Sequence, residues 1–126
     1  MTDLVEVDRR LRLIFEPYRG RLSFSKEGPG GLYVELRGYE GQPWGYVGGT
    51  RVGKRYVSYY LMGVYAADGL AASISPELRR RMQGKSCFNF TAIDERLFAE
   101  LADITARSIE AQPAVTAAAL ANRPRR

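Results

Sequence analysis

The side chains with most chemistry to offer lie in one run, Met82-Gln83-Gly84-Lys85-Ser86-Cys87-Phe88-Asn89-Phe90, and in the tyrosines before it. Gly84-Lys85-Ser86 has the ending of a phosphate-binding loop. Such a loop needs another glycine five residues earlier and must open a helix whose N-terminal amides hold the phosphate. Arg79 stands at that position and the segment leads into a strand pattern, so nucleotide binding by this route is set aside. Cys87 becomes a nucleophile only where neighbouring cations lower its pKa. Lys85 shares its strand face two residues away, which permits activation; the commoner role of a lone strand cysteine is that of a small buried hydrophobe. Arg79-Arg80-Arg81 adds basic charge, but successive helical residues turn about 100° apart, so the three fan out and do not form one phosphate site.

The second chemical resource is aromatic. Tyr33, Trp44, Tyr46, Tyr56, Tyr59, Tyr60 and Tyr65 crowd the strand-forming half of the chain. Strand alternation puts Tyr56, Ser58, Tyr60 and Met62 on one face. Val57, Tyr59, Leu61 and Gly63 take the other, which reads as the face packed against helices. A solvent-facing row of tyrosines can hold a flat ligand, stack bases or join two copies of the chain. Ordinary cross-strand packing is the plainer alternative. Gly45, Gly48 and Gly49 interrupt the preceding strand, as glycines do at a bulge or where another group comes close. The candidate ligand-binding set is Trp44, Tyr46, Tyr56, Tyr60 and Lys85.

What is missing narrows the chemistry further. The 126 residues include no histidine, so Ser–His–Asp and Cys–His nucleophilic systems are excluded, as are zinc sites built on imidazole. A single cysteine cannot supply a thiolate cluster or an intramolecular disulfide, and suits a reducing cytoplasm. No secretory signal pattern opens the sequence, and no apolar run approaches a membrane span. The expectation is a cytoplasmic, non-catalytic protein with no cofactor, no resident metal and no membrane partner. Net charge is +5, which permits contact with nucleic acid but is also an ordinary solubility charge.

These side chains must be positioned by a modest set of elements. Length and composition predict one domain over residues 1–112, followed by a flexible basic tail over 113–126. Leu4, Val7, Leu11, Ile14, Phe15 and Tyr18 repeat with helical period over residues 4–19. Strands are predicted over residues 22–26, 32–37, 44–52 and 56–64, the first pair joined by the Gly28-Pro29-Gly30-Gly31 hairpin loop. Residues 66–72 read as a short helix or irregular turn. Ser75-Pro76-Glu77 opens a short helix to about Gln83, with serine at the N-cap and proline in the first turn. A fifth strand follows over 86–90 and a long helix over 94–112. The economical packing is an α+β two-layer sandwich: an antiparallel sheet of about five strands with the N- and C-terminal helices on one face. Chain order does not fix the order of the strands.

Several segments over residues 44–112 resemble the YdhG-like family of small bacterial proteins. They are Tyr56-Val57-Ser58-Tyr59-Tyr60-Leu61-Met62, Ile74-Ser75-Pro76-Glu77-Leu78, the run Met82–Phe90, and Ile93-Asp94-Glu95-Arg96-Leu97-Phe98. The resemblance implies a small α+β domain with antiparallel strands between terminal helices. It also implies a distantly frataxin-like fold, and with it an iron chaperone that binds metal through carboxylates of the first helix. Here that helix carries Asp3, Glu6, Asp8 and Glu16 but interleaves Arg9, Arg10 and Arg12, on a basic chain. The leading expectation is therefore a small ligand or protein partner held on the open sheet face. Iron delivery, nucleic-acid contact and homodimerisation through the same face stand as alternatives.

Overall fold

The computed structural model describes residues 3–64 and 69–121. Helix α1 spans Leu4–Phe15. Asp3 caps it, its side chain accepting from the Val5 amide at 2.9 Å and supplying one of the bonds that helix starts lack. The helical pattern to residue 19 is cut short at Pro17, which has no N–H for the next rung, and the chain tightens into a 3-10 turn over Glu16–Tyr18. Val7, Leu11 and Phe15 share the buried side.

Among the described residues, six antiparallel strands form one sheet: β1 (Leu22–Gly28), β2 (Gly31–Leu36), β3 (Tyr46–Val52), β4 (Val57–Leu61), β5 (Met82–Gln83) and β6 (Cys87–Phe90), in the order β1-β2-β3-β4-β6-β5. The first four form a meander. The chain then leaves the sheet and returns so that β6 pairs with β4, leaving the two-residue β5 as an edge. Helix α2 (Pro76–Arg79) and the long helix α3 (Glu95–Ala121) complete the chain. The α+β sandwich with both long helices on one sheet face follows, with six strands rather than five.

Tyr59 is the centre of the covered face. It is fully buried, its ring stacks on Phe15 at 5.1 Å, and it meets Phe88 edge-on at 6.5 Å. Its hydroxyl shares a 2.6 Å hydrogen bond with Thr105 of α3. Burial pushes the phenol well above its ordinary pKa, the Thr105 bond opposing. Val57, Leu61, Phe88 and Phe90 extend this layer under the helices. Gly48 belongs to the same face: a Cβ there would lie 3.0 Å from the tip of Phe15 and 2.2 Å from the Tyr60 carbonyl oxygen. The glycine makes room for helix α1 rather than for a ligand. Gly45 likewise serves the loop before β3, where a Cβ would fall 2.4 Å from the Tyr39 carbonyl.

Three local expectations need correction. Residues 43–45 form a 3-10 turn, so Trp44 precedes β3 instead of lying in it; Pro43 sets the turn. Strand β4 ends at Leu61, and Met62–Val64 is again a 3-10 turn. Helix α2 stops at Arg79, and Met82–Gln83, expected in its last turn, pairs with β6 as β5. Its start is as predicted, with the Ser75 hydroxyl accepting from the Leu78 amide at 3.1 Å. Of residues 66–72, Ala71 and Ala72 lie in a 3-10 turn over Ala71–Ser73, and 65–68 lie outside the described residues.

The largest difference is at the C-terminus, where α3 runs through Pro113 to Ala121 instead of fraying at residue 113. Two physical causes are visible. Residues 114–121 are rich in alanine, the best helix former. The helix is also anchored beyond the proline: Gln112 donates to Thr116 at 3.2 Å, and Thr116 donates to the Trp44 carbonyl at 2.9 Å. Residues 122–126 of the expected basic tail lie outside the described residues.

Candidate functional site

The register assembles the uncovered face row by row. Lys26 of β1 pairs with Tyr33 of β2, Tyr33 with Gly49 of β3, Gly49 with Tyr60 of β4, Tyr60 with Cys87 of β6, and Cys87 with Gln83 of β5. The neighbouring row runs Gly31, Arg51, Ser58, Asn89. Alternation places both rows away from the helices, so Tyr60 and Ser58 lie opposite Tyr59, as the strand pattern predicts.

Polar contacts fix the floor. Ser58 donates to the Asn89 side-chain oxygen at 2.8 Å, and the Cys87 thiol approaches that oxygen at 3.4 Å. The Asn89 amide donates to the Gln83 side-chain oxygen at 2.9 Å, which leaves the Gln83 amide nitrogen as a donor at the surface. Burial pushes the Cys87 thiol up from its ordinary pKa, while hydrogen bonds with Ser58 and Tyr60 oppose this. The thiol is thus held protonated, the reverse of what a nucleophile requires.

Tyr46 stacks on Tyr33 with ring centroids 4.4 Å apart. Burial, then the neighbouring Tyr33, Tyr60 and Cys87, push the Tyr46 phenol well above its ordinary pKa. The Lys26 ammonium sits 5.8 Å from the Tyr33 ring centroid, at the far side of the stack.

Between the β3–β4 hairpin and the β5–β6 edge lies a cleft of about 640 Å³. The hairpin contributes Arg51, Lys54, Arg55 and Tyr56; Ser58 and Tyr60 form the floor, and Gln83 and Cys87 the opposite wall. A shallower depression of about 350 Å³ adjoins it, shares Arg51 and Tyr60, and is bounded by Tyr33 and Tyr46. Of the predicted ligand-binding set, Tyr46, Tyr56 and Tyr60 are thus gathered around these two hollows. Trp44 is not among them, because its turn docks on α3. Lys85 sits in the β5–β6 turn and borders a separate hollow with Ala71, Ile74, Arg79 and Met82.

Sequence reading missed Arg51, Lys54 and Arg55. The signal was present: residues 41–67 contain these three cations and no Asp or Glu, and residues 78–93 contain four cations and no acid. Several acids instead lie on the first helix and its following turn. Glu6 pairs with Arg9, Asp8 with Arg12 and Glu16 with Arg19, so these carboxylates are each met by a guanidinium of the same segment. Among the described residues no group of three or more Cys, Asp or Glu side chains is placed to hold a metal, and no helix is long and apolar enough to cross a membrane.

Comparison with known proteins returned no matching family model, no matching curated protein and no matching solved structure.

Proposed function

We propose that this chain is a non-catalytic binding domain that holds a small ligand on the open sheet face. The observation that carries this reading is the cleft itself. Its volume of about 640 Å³ is within the range of small-molecule sites, and tyrosine rings alternate in it with a few polar groups. The raised thiol of Cys87 supports binding over covalent chemistry. The reading includes a cytoplasmic setting, which the single free cysteine favours. The YdhG-like kinship is proposed on the segments quoted above. Iron delivery has less support, because the first-helix carboxylates are engaged by Arg9, Arg12 and Arg19.

Native mass spectrometry of protein purified gently from its own host tests this. A retained small mass on the monomer, lost from Tyr60→Ala, is the expected result. A bare dimer that protects the Tyr56 and Tyr60 amides from hydrogen exchange would instead assign the face to self-association.

A further inference from the structure

We infer that the ligand of the open face is a small aromatic anion, with its ring over Tyr60 and its negative group held by Arg51, Lys54 and Arg55. This rests on the binding-domain reading and adds the charge and shape of what is bound.

Charge carries the first step. Arg51 projects from β3 opposite Ser58, and Lys54 and Arg55 follow in the turn of the same hairpin. All three are exposed, and among the described residues none makes an ion pair. Elsewhere six arginines (Arg9, Arg10, Arg12, Arg19, Arg96 and Arg107) find carboxylates. Among the described residues, no acidic side chain lines the cleft. Like charges gathered on one wall over a partly apolar floor raise the local concentration of anions. Guanidinium forks suit the paired oxygens of a carboxylate or phosphate, and the Gln83 amide nitrogen adds a neutral donor across the cleft.

Shape carries the second step. Arg51 and Tyr60 border both hollows, so the cationic cleft opens directly onto the depression walled by the Tyr33–Tyr46 stack. Gly49 stands between Tyr33 and Tyr60 in the cross-strand row and puts no side chain between them. A flat ring lies over such tyrosines at little conformational cost, and Arg51 is where its charge would turn toward the hairpin. A purely aliphatic acid would leave the aromatic half unused, and a neutral ring would leave three cations unanswered.

The test uses matched pairs that differ only in charge: adenosine 5′-monophosphate with adenosine, and naphthalene-2-carboxylate with its carboxamide. Each is titrated into the full chain and read by amide shifts of Ser58, Tyr60 and Cys87. The anion of at least one pair should bind about tenfold or more tighter than its neutral partner, and the preference should shrink as salt rises from about 0.05 M to about 0.5 M. R51Q/K54Q/R55Q should abolish the preference while leaving the neutral affinity in place, and Tyr60→Ala should weaken both members. Equal affinity within both pairs, at the cleft amides, would overturn the anion and leave the ligand site standing. No shift from any of the four compounds overturns the aromatic anion; a bare monomer from the host would then take the ligand site with it. Decathymidylate binding about a hundredfold tighter than the mononucleotide would also overturn the small ligand, assigning the surface to single strands.

Discussion

The two faces of this sheet are built from the same strands and obey opposite rules. Beneath the helices, the large aromatics have specific partners: Tyr59 lies between Phe15 and Phe88 with its hydroxyl on Thr105, and Phe90 meets Phe98 edge-on at 5.0 Å. Charges at the helices are matched too, Asp8 with Arg12 and Arg10 with Glu95. On the uncovered face Tyr56 and Tyr33 stay exposed, and among the described residues Arg51, Lys54 and Arg55 face no acid. Matched packing is thus concentrated on one side, and exposed rings and cations on the other. Substitutions of similar size should have very different consequences on the two faces.

The largest expected effect is Phe15→Ala. It removes a fully buried ring that stacks on Tyr59 and closes over Gly48, and the helix–sheet gap cannot collapse around a rigid strand. A loss of about 3–5 kcal/mol is expected from urea unfolding. A loss below about 1 kcal/mol would mean that the covered face is not the stabilising one.

Next is Arg12→Gln. Arg12 Nε holds the buried Asp8 carboxylate at 2.7 Å, and the guanidinium also bonds the Gly28 carbonyl. The other Asp8 oxygen is already buried without a partner, so removing the cation leaves the carboxylate poorly compensated. The cost should be about 2–3 kcal/mol, and Asp8→Asn in the same background should recover part of it.

Tyr59→Phe keeps the ring and deletes one hydroxyl. The Thr105 hydroxyl is then buried and alone, at a cost of about 1–2 kcal/mol, and Thr105→Val should restore much of the loss. The same residue gives a pH test. Burial raises the folded-state pKa of the phenol, so the folded chain keeps a proton that the unfolded chain loses. The corresponding stability is whole below the ordinary tyrosine value of about 10 and is lost as pH rises through the raised one. Tyr46 acts in the same direction. The urea midpoint should therefore fall as the solution passes into that alkaline range, and less steeply in Tyr59→Phe. An unchanged slope would transfer the alkaline sensitivity to the open face.

Much of the covered face was legible because periodicity is its direct cause. Val57, Tyr59 and Leu61 alternate with Ser58 and Tyr60, and the register keeps that division. The N-cap logic of Ser75-Pro76-Glu77 is equally local, and it holds. The misses have non-local causes. Two residues, Met82–Gln83, are too few to show a strand period, and they pair only because β6 arrives beside them. Helix α3 passes Pro113 because Thr116 finds the Trp44 carbonyl, 72 positions away in sequence. That contact also draws Trp44 away from the site to which its type had assigned it. The cationic wall was legible in principle, but only to a reading that follows where acids are missing rather than where bases cluster: the Arg79-Arg80-Arg81 run drew attention that Arg51, Lys54 and Arg55 merited.

Thr116→Val isolates that anchor. Its loss should cost about 1 kcal/mol and speed amide exchange over residues 114–121, with the residues before Pro113 unaffected. Exchange that stays slow past the proline would show that alanine propensity alone holds the last turns.

The smallest expected change in stability is that of R51Q/K54Q/R55Q, and it discriminates most sharply between the faces. Arg12→Gln and Arg51→Gln are chemically the same substitution. The first strands a buried carboxylate; the second removes an exposed charge that no acid among the described residues answers, and relieves repulsion from Lys54 and Arg55 nearby. The triple variant should unfold within about 0.5 kcal/mol of the parent. Any change should be toward greater stability and should fade with added salt, because exposed like charges are screened beyond about 10 Å at moderate ionic strength. A clear loss would show that the three cations hold the hairpin together, and the open face would then have to be regarded as a structural element like the covered one.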